Sequence, residues 1–141
     1  MKELFKAITA RLDTVPALKW VDEDKGQMNF ERPPVLFPCA LVDIQLPKTQ
    51  DLNRKLQDCD AVITVRLAFD FSGNTSTITP VAARELSLAY YGVVEEVWKA
   101  LQGWTDGDFN PLSRKSFYQE KRADAYKVVA IPFLTSFHEG I

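Results

Sequence analysis

Few residues of this chain stand where reactive chemistry would need them. The single histidine, His138, lies beside Glu139 in the last residues of the sequence. A Ser-His or Cys-His unit needs its base held rigidly by a third group, and chain ends commonly fray. No catalytic residue is assigned, and no enzymatic activity is expected. One histidine and two cysteines leave too few nitrogen and sulfur ligands for a zinc site. Cys39 and Cys59 sit inside strand-like runs without CxxC spacing and read as small buried hydrophobes. The acidic run Asp22, Glu23 and Asp24 lacks the alternating ligands and bidentate glutamate of a calcium loop, and reads as a solvated strand end. Asp106, Asp108 and Asn110 do alternate, but within TDGDFNP they fit a turn that closes a helix. Neither FSGNTST nor GWTDGD has the glycine spacing and lysine of a phosphate-binding loop. No metal and no cofactor are expected.

What remains is surface. Seventeen basic residues stand against 19 acidic ones, a formal charge of −2, so no global positive field draws a nucleic-acid backbone. Arg114, Lys115, Lys121 and Arg122 do flank Phe117 and Tyr118, a mixture that suits single-stranded nucleic acid, but Glu120 and Asp124 balance it into an ordinary exposed strand. No sequence-specific nucleic-acid partner is expected. Phe30, Val35, Leu36 and Phe37 are apolar residues in a segment too proline-rich for a central strand, and Trp104 and Phe109 sit in another loop. Exposed, they are interface anchors; covered, they are a satellite core beneath a long loop. The candidate interface set is Phe30, Arg32, Val35, Leu36, Phe37, Arg66, Trp104, Phe109, Arg114 and Lys121.

The elements that position these residues follow from periodicity. The chain is 46% apolar and 26% charged over 141 residues, ordinary for one globular domain. No stretch approaches the ~20 apolar residues of a membrane span, and the charged N-terminal segment does not read as a signal peptide, so a cytosolic product without a membrane partner is expected. Leu4, Phe5, Ile8 and Leu12 predict an amphipathic first helix that stops before Pro16. A short strand follows in ALKWVDED. In CALVDIQL, Ala40, Val42, Ile44 and Leu46 share one side of a strand that Pro47 ends, and KTQDLNRKLQDCD reads as a polar surface connection. Residues 59 to 71 alternate most clearly, with Cys59, Ala61, Ile63, Val65, Leu67, Phe69 and Phe71 on one face. Such a strand spans roughly 40 Å, long enough for part of it to project as one arm of a hairpin. Residues 81 to 102 predict one long helix with Thr79 as N-cap, Leu86, Tyr90, Val93, Val94, Val97 and Leu101 as its apolar face, and Gly103 as its stop. Two further strands, about 115 to 122 and 126 to 137, are separated by ADA. The expected fold is α+β: two helices packed on one face of a mostly antiparallel sheet of about five strands, in the order α-β-β-β-α-β-β, with an extended hairpin.

An amphipathic first helix ending in VPALKWVD, RPPVLFPCALVDI leading into a strand, a long strand, one long helix ending ALQGW and then FNPLSRKSFYQEKRADAYKVVAIPFLTSF form an ordered set. In that order and character the chain resembles the tail terminator, or tail completion, proteins of long-tailed bacteriophages and prophages, over nearly its whole length. The resemblance implies a single tail-terminator-like domain over residues 1–141 that assembles into a homo-oligomeric, commonly hexameric, ring. Such a ring caps the tail tube protein, meets the head-tail connector protein, and resides in the virion tail after synthesis in the host cytoplasm. It implies that the strands near 39–46 and 59–71 form the extended hairpin and contribute ring contacts, with PKTQDLNRKLQD as its polar tip. A small sheet-based binding module for RNA or a peptide, using Phe117, Tyr118 and Lys121, is the competing expectation.

Overall fold

The computed structural model describes residues 1–141. Helix α1 (Lys2–Leu12) buries Leu4, Ile8 and Leu12, the stripe expected from its spacing. Strand β1 (Trp20–Glu23) runs parallel to the start of β2 (Cys39–Asn53), and a short 3-10 turn (Gln27–Asn29) and the proline-rich segment connect them. Strand β3 (Leu56–Phe69) lies at the centre, antiparallel to both β2 and β6 (Lys127–Gly140). In place of the single strand expected over about 115 to 122 there are two dipeptide strands, β4 (Ser113–Arg114) and β5 (Tyr118–Gln119), which pair with the outer edge of β6. The result is a six-stranded mixed sheet in an α+β arrangement that includes the expected long β2/β3 hairpin, with β6 paired to β3 as far as Leu56 and Gly140 at its tip.

The alternation read in β3 is realised. Ala61, Ile63, Val65, Leu67 and Phe69 join Ala40 and Val42 of β2 and Val129, Ile131 and Phe133 of β6 in the main core. Against that face lie α1 and Val94, Val97 and Leu101 of α3 (Tyr90–Leu101). The opposite face carries a second, smaller core of Met28, Cys39, Leu41, Ala68 and Val128. Half-buried Val35 and Phe37 of the proline-rich segment close over it, with Phe37 stacked on Tyr126 at 5.3 Å.

Three further expectations about element bounds are corrected. The polar run after Pro47 is strand: β2 continues to Asn53 and β3 begins at Leu56, leaving only Arg54 and Lys55 as the turn. Both faces of this distal ribbon meet water, so its residues need not alternate, and the ladder bonds alone hold it extended. At the other end β3 stops at Phe69, and Phe71 lies outside the sheet. The helix read over 81–102 is broken at Ala89 into α2 (Val81–Leu88) and α3, with Pro80 rather than Thr79 at its N-cap and Leu86 exposed. Its stop is as expected: Gly103 adopts φ +73°, where a side chain would be strained.

Candidate functional site

Two unlike surfaces occupy opposite ends of the sheet. One is the ribbon. Beyond Leu46 every residue of β2 through Asn53 is exposed, and β1 pairs only with Cys39 to Val42, so the outer edge of β2 carries no partner strand past that point. An open edge of this length is a template for another chain unless charge or a bulge blunts it. Here the ladder slips between Gln45 and Lys48 and again between Asp51 and Asn53, and Leu52 stands half-exposed near the tip.

The other surface is the segment from Asp70 through α2, where β3 leaves the sheet. Only Ser87 of α2 is buried, while Phe71, Ile78, Val81 and Leu86 are exposed at 55, 92, 78 and 67%. Exposed apolar residues grouped like this mark interaction surfaces. The segment is nonetheless held in one shape. Arg84 Nε donates to the Thr75 carbonyl at 3.1 Å, and the Ser76 and Thr79 hydroxyls bond each other at 2.9 Å. At Gly73 an added Cβ would come within 2.2 Å of Ser87 Oγ and 2.6 Å of the Phe71 ring, so only glycine lets the loop lie this close to α2. Phe69, Phe71, Leu86, Tyr90 and Val93 line a groove of about 220 Å³ between this loop and the helices. At its margin Tyr90 stacks on Tyr91 at 4.3 Å, Gln119 donates its amide to both phenols, and Lys127 Nζ sits 4.6 Å from the Tyr90 ring centre. Burial, reinforced by Tyr91, pushes the Tyr90 phenol up.

The residues singled out in the sequence fall into three groups. Phe30, Arg32, Leu36, Arg114 and Lys121 are at the surface, Arg114 lying 4.7 Å over the Trp98 ring. Val35, Phe37 and Trp104 are half-buried, Trp104 against the main core with Arg11 over its ring. Phe109 is buried in the main core, edge-on to Trp104 at 5.5 Å. Arg66 points onto the second face of the sheet, where its Nε and Nη2 donate to the two Glu120 carboxylate oxygens at 2.8 Å and Nη1 donates to Asp24 at 3.0 Å. Arg122 extends the network to Glu120 and Asp124, and donates to the Met28 carbonyl at 2.6 Å. This lattice straps the connection after β1 and the loop after β5 across the sheet. The hydrogen bond from Arg122 holds the Asp124 carboxyl below its ordinary range, while the two carboxylates push the Arg66 guanidinium up against its partial burial.

The other candidate groups are used internally. Asp24 serves Arg66, and Asp22 accepts from Gln27 and Lys25. Asp106 accepts the Asp108 backbone N–H in the expected turn. His138 Nε2 lies 3.5 Å from Asp58 with its ring largely in solvent. Of the aromatic pair in the competing expectation, Phe117 packs on the main core and Tyr118 is exposed. Phe71, Ile78, Val81, Leu86 and Leu52 are absent from the sequence-based interface set. The available signal was Ile78 and Val81 bracketing Pro80 in a polar stretch, the same combination that drew attention to residues 30–37.

Both cysteines are buried and unlinked. Burial pushes the Cys39 thiol up to about 11 from its ordinary 9.0, and Cys59 moves the same way, through burial first and then Glu139 and Asp58. The folded chain therefore holds these protons more tightly than the unfolded chain. For Cys39 the stabilising contribution is full below pH 9 and declines as pH rises toward 11, and for Cys59 it declines in the same direction. A thiol reagent at pH 8 is expected to leave the folded chain unlabelled over minutes and to label both cysteines on unfolding; rapid native labelling would contradict their burial.

No helix is long and apolar enough to cross a membrane. No protein-family model matches the chain, and no curated protein matches it. Among solved structures, it is similar to a chain from the "Virion of native gene transfer agent (GTA) particle", at 12% identity and a TM-score of 0.44, over 93% of this chain and 84% of that one. At that identity and TM-score the likeness assigns no function.

Proposed function

We propose that this chain is a ring-forming structural subunit of a phage-type tail, of the tail terminator kind, that acts by assembly rather than catalysis. The observation that supports it is the placement of two dissimilar surfaces, the projecting ribbon and the apolar arm, at opposite ends of one sheet. A cyclic ring needs a heterologous interface in which one patch of a subunit fits a different patch of the next. In this reading the ring seats on the last layer of the tail tube protein, blocks further addition and presents its other face to the head-tail connector. No cofactor or reaction is required.

The test is assembly with purified tail tubes. Size-exclusion chromatography with light scattering across concentrations, followed by co-sedimentation and negative-stain microscopy, is expected to show closed rings, free or at tube ends. A chain that stays monomeric and leaves tubes unbound and uncapped would sink the proposal.

A further inference from the structure

The hairpin tip and the apolar arm each leave aliphatic surface in water, and neither can cover the other within one chain. Strand β3 runs from the tip at Leu56 to Phe69, two residues short of Phe71, which sets the two surfaces roughly 40 Å apart along a hydrogen-bonded strand. We propose that they cover each other between copies: the β2/β3 tip of one subunit seats on the arm of the next, with Leu52 entering the groove between Phe71 and Leu86. This rests on the ring-forming reading and names the contact that would build the ring.

Charge favours this occupant. Residues 47–57 carry Lys48, Arg54 and Lys55 against Asp51, and Glu139, level with Gln57 across the ladder, is already paired with the N-terminal ammonium. The arm, residues 70–88, carries Asp70 and Glu85 against Arg84, whose guanidinium already donates to the Thr75 carbonyl; beyond it on α3 Glu96 adds a carboxylate, while Glu95 is paired with Lys99 and Lys127 borders the groove. A tip with surplus positive charge therefore meets a groove whose rim carries the carboxylates Asp70 and Glu85, next in sequence to Phe71 and Leu86, which favours this orientation. The same charges oppose the alternatives of tip on tip and arm on arm. Size fits as well: the groove, of about 220 Å³ and lined mainly by apolar side chains, has room for a branched aliphatic side chain. Its walls are already in position, because Gly73 lies against Ser87 and Arg84 ties the loop to α2. A preformed receptor loses little conformational freedom on docking.

The experiment joins the two sites directly. Leu52→Cys and Leu86→Cys are introduced into one chain, where Cys39 and Cys59 are buried and silent. Mild oxidation, with and without tail tubes, is expected to give a ladder of linked subunits that ends at the ring size. Separately, Leu86→Asp is expected to weaken association by about 30-fold. Reversing the tip with Arg54→Glu and Lys55→Glu is expected to weaken it by about 10-fold or more, and adding Asp70→Lys and Glu85→Lys to the same chain is expected to restore it. All these positions are exposed, and thermal melts check that each variant folds. Rings or capped tubes that form without the cross-link, indifferent to Leu86→Asp, overturn the tip-and-arm contact and leave the tail reading standing. A cross-linked ladder that ignores tail tubes does the reverse. A chain that is monomeric with and without tubes overturns both.

Discussion

Phe133→Ala is expected to lower the unfolding free energy by about 3 to 5 kcal/mol. The ring is fully buried on β6, level with Ile63 of β3 and, through it, with Ile44 of β2. That row lies just inside the point where the sheet passes from beneath the helices into the exposed ribbon. Truncation removes apolar surface and leaves a cavity that two flanking strands, locked by ladder bonds on both sides of β3, cannot collapse to fill. A chain of this size has a stability of order 7 to 20 kcal/mol, so roughly a seventh to two-thirds of it would go. Urea titration checks this: the midpoint should fall with little change in slope. A loss below about 1 kcal/mol would mean that the row is not packed as described.

Arg66→Ala is expected to cost about 2 to 4 kcal/mol, through a different mechanism. Its removal takes the paired cation from Asp24 and leaves Glu120 with Arg122 alone at 3.6 Å, and these two carboxylate side chains are only 14 and 27% exposed. An unpaired carboxylate in such a place carries an uncompensated desolvation penalty, reduced here by the solvent that reaches Glu120. The matched control is Arg66→Met with Asp24→Asn and Glu120→Gln. Removing all the charges together should recover most of the loss, since a buried ion pair contributes little over a neutral replacement. The melting temperature should drop by about 10 °C for the single change. If the triple variant melts no higher than the single one, the loss does not come from uncompensated carboxylates. Loss of the strap should also expose Met28 and Leu41, which lie beneath it in the second core.

Sequence pattern and structure agree where one face of an element is dry and the other wet. Alternation in β3 and the i, i+3, i+4 stripe of α1 are direct images of that asymmetry, and the stop at Gly103 is local backbone chemistry. They part where the asymmetry vanishes. Residues 47–58 have water on both sides, so strand geometry leaves no hydrophobic trace there. The break at Ala89 has neither proline nor glycine to announce it, and α2, almost entirely exposed, retains an apolar pattern that reads as a buried face. The interface set suffered from the same blindness to distance. Arg66 looked free because Asp24 and Glu120 lie 42 and 54 residues away, and Phe109 looked exposed because the loop that carries it folds back onto the main core. Periodicity alone assigns Leu86 and Phe71 to the interior, whereas the structure exposes both.

The central position of β3 also sets the order in which the sheet can form. Its pairing with β2 closes across only Arg54 and Lys55, whereas its pairing with β6 joins Phe69 to Lys127 and Leu56 to Gly140. Closing a loop of about 60 residues instead of two costs about 3 kcal/mol more in chain entropy before any contact repays it. The hairpin is therefore the native nucleus available on the microsecond scale, and annealing of β6 is the slow, high-contact-order step. Until then β3 presents a bare edge as long as itself, along which the charged Asp58, Asp60 and Arg66 disfavour pairing with a second half-folded chain.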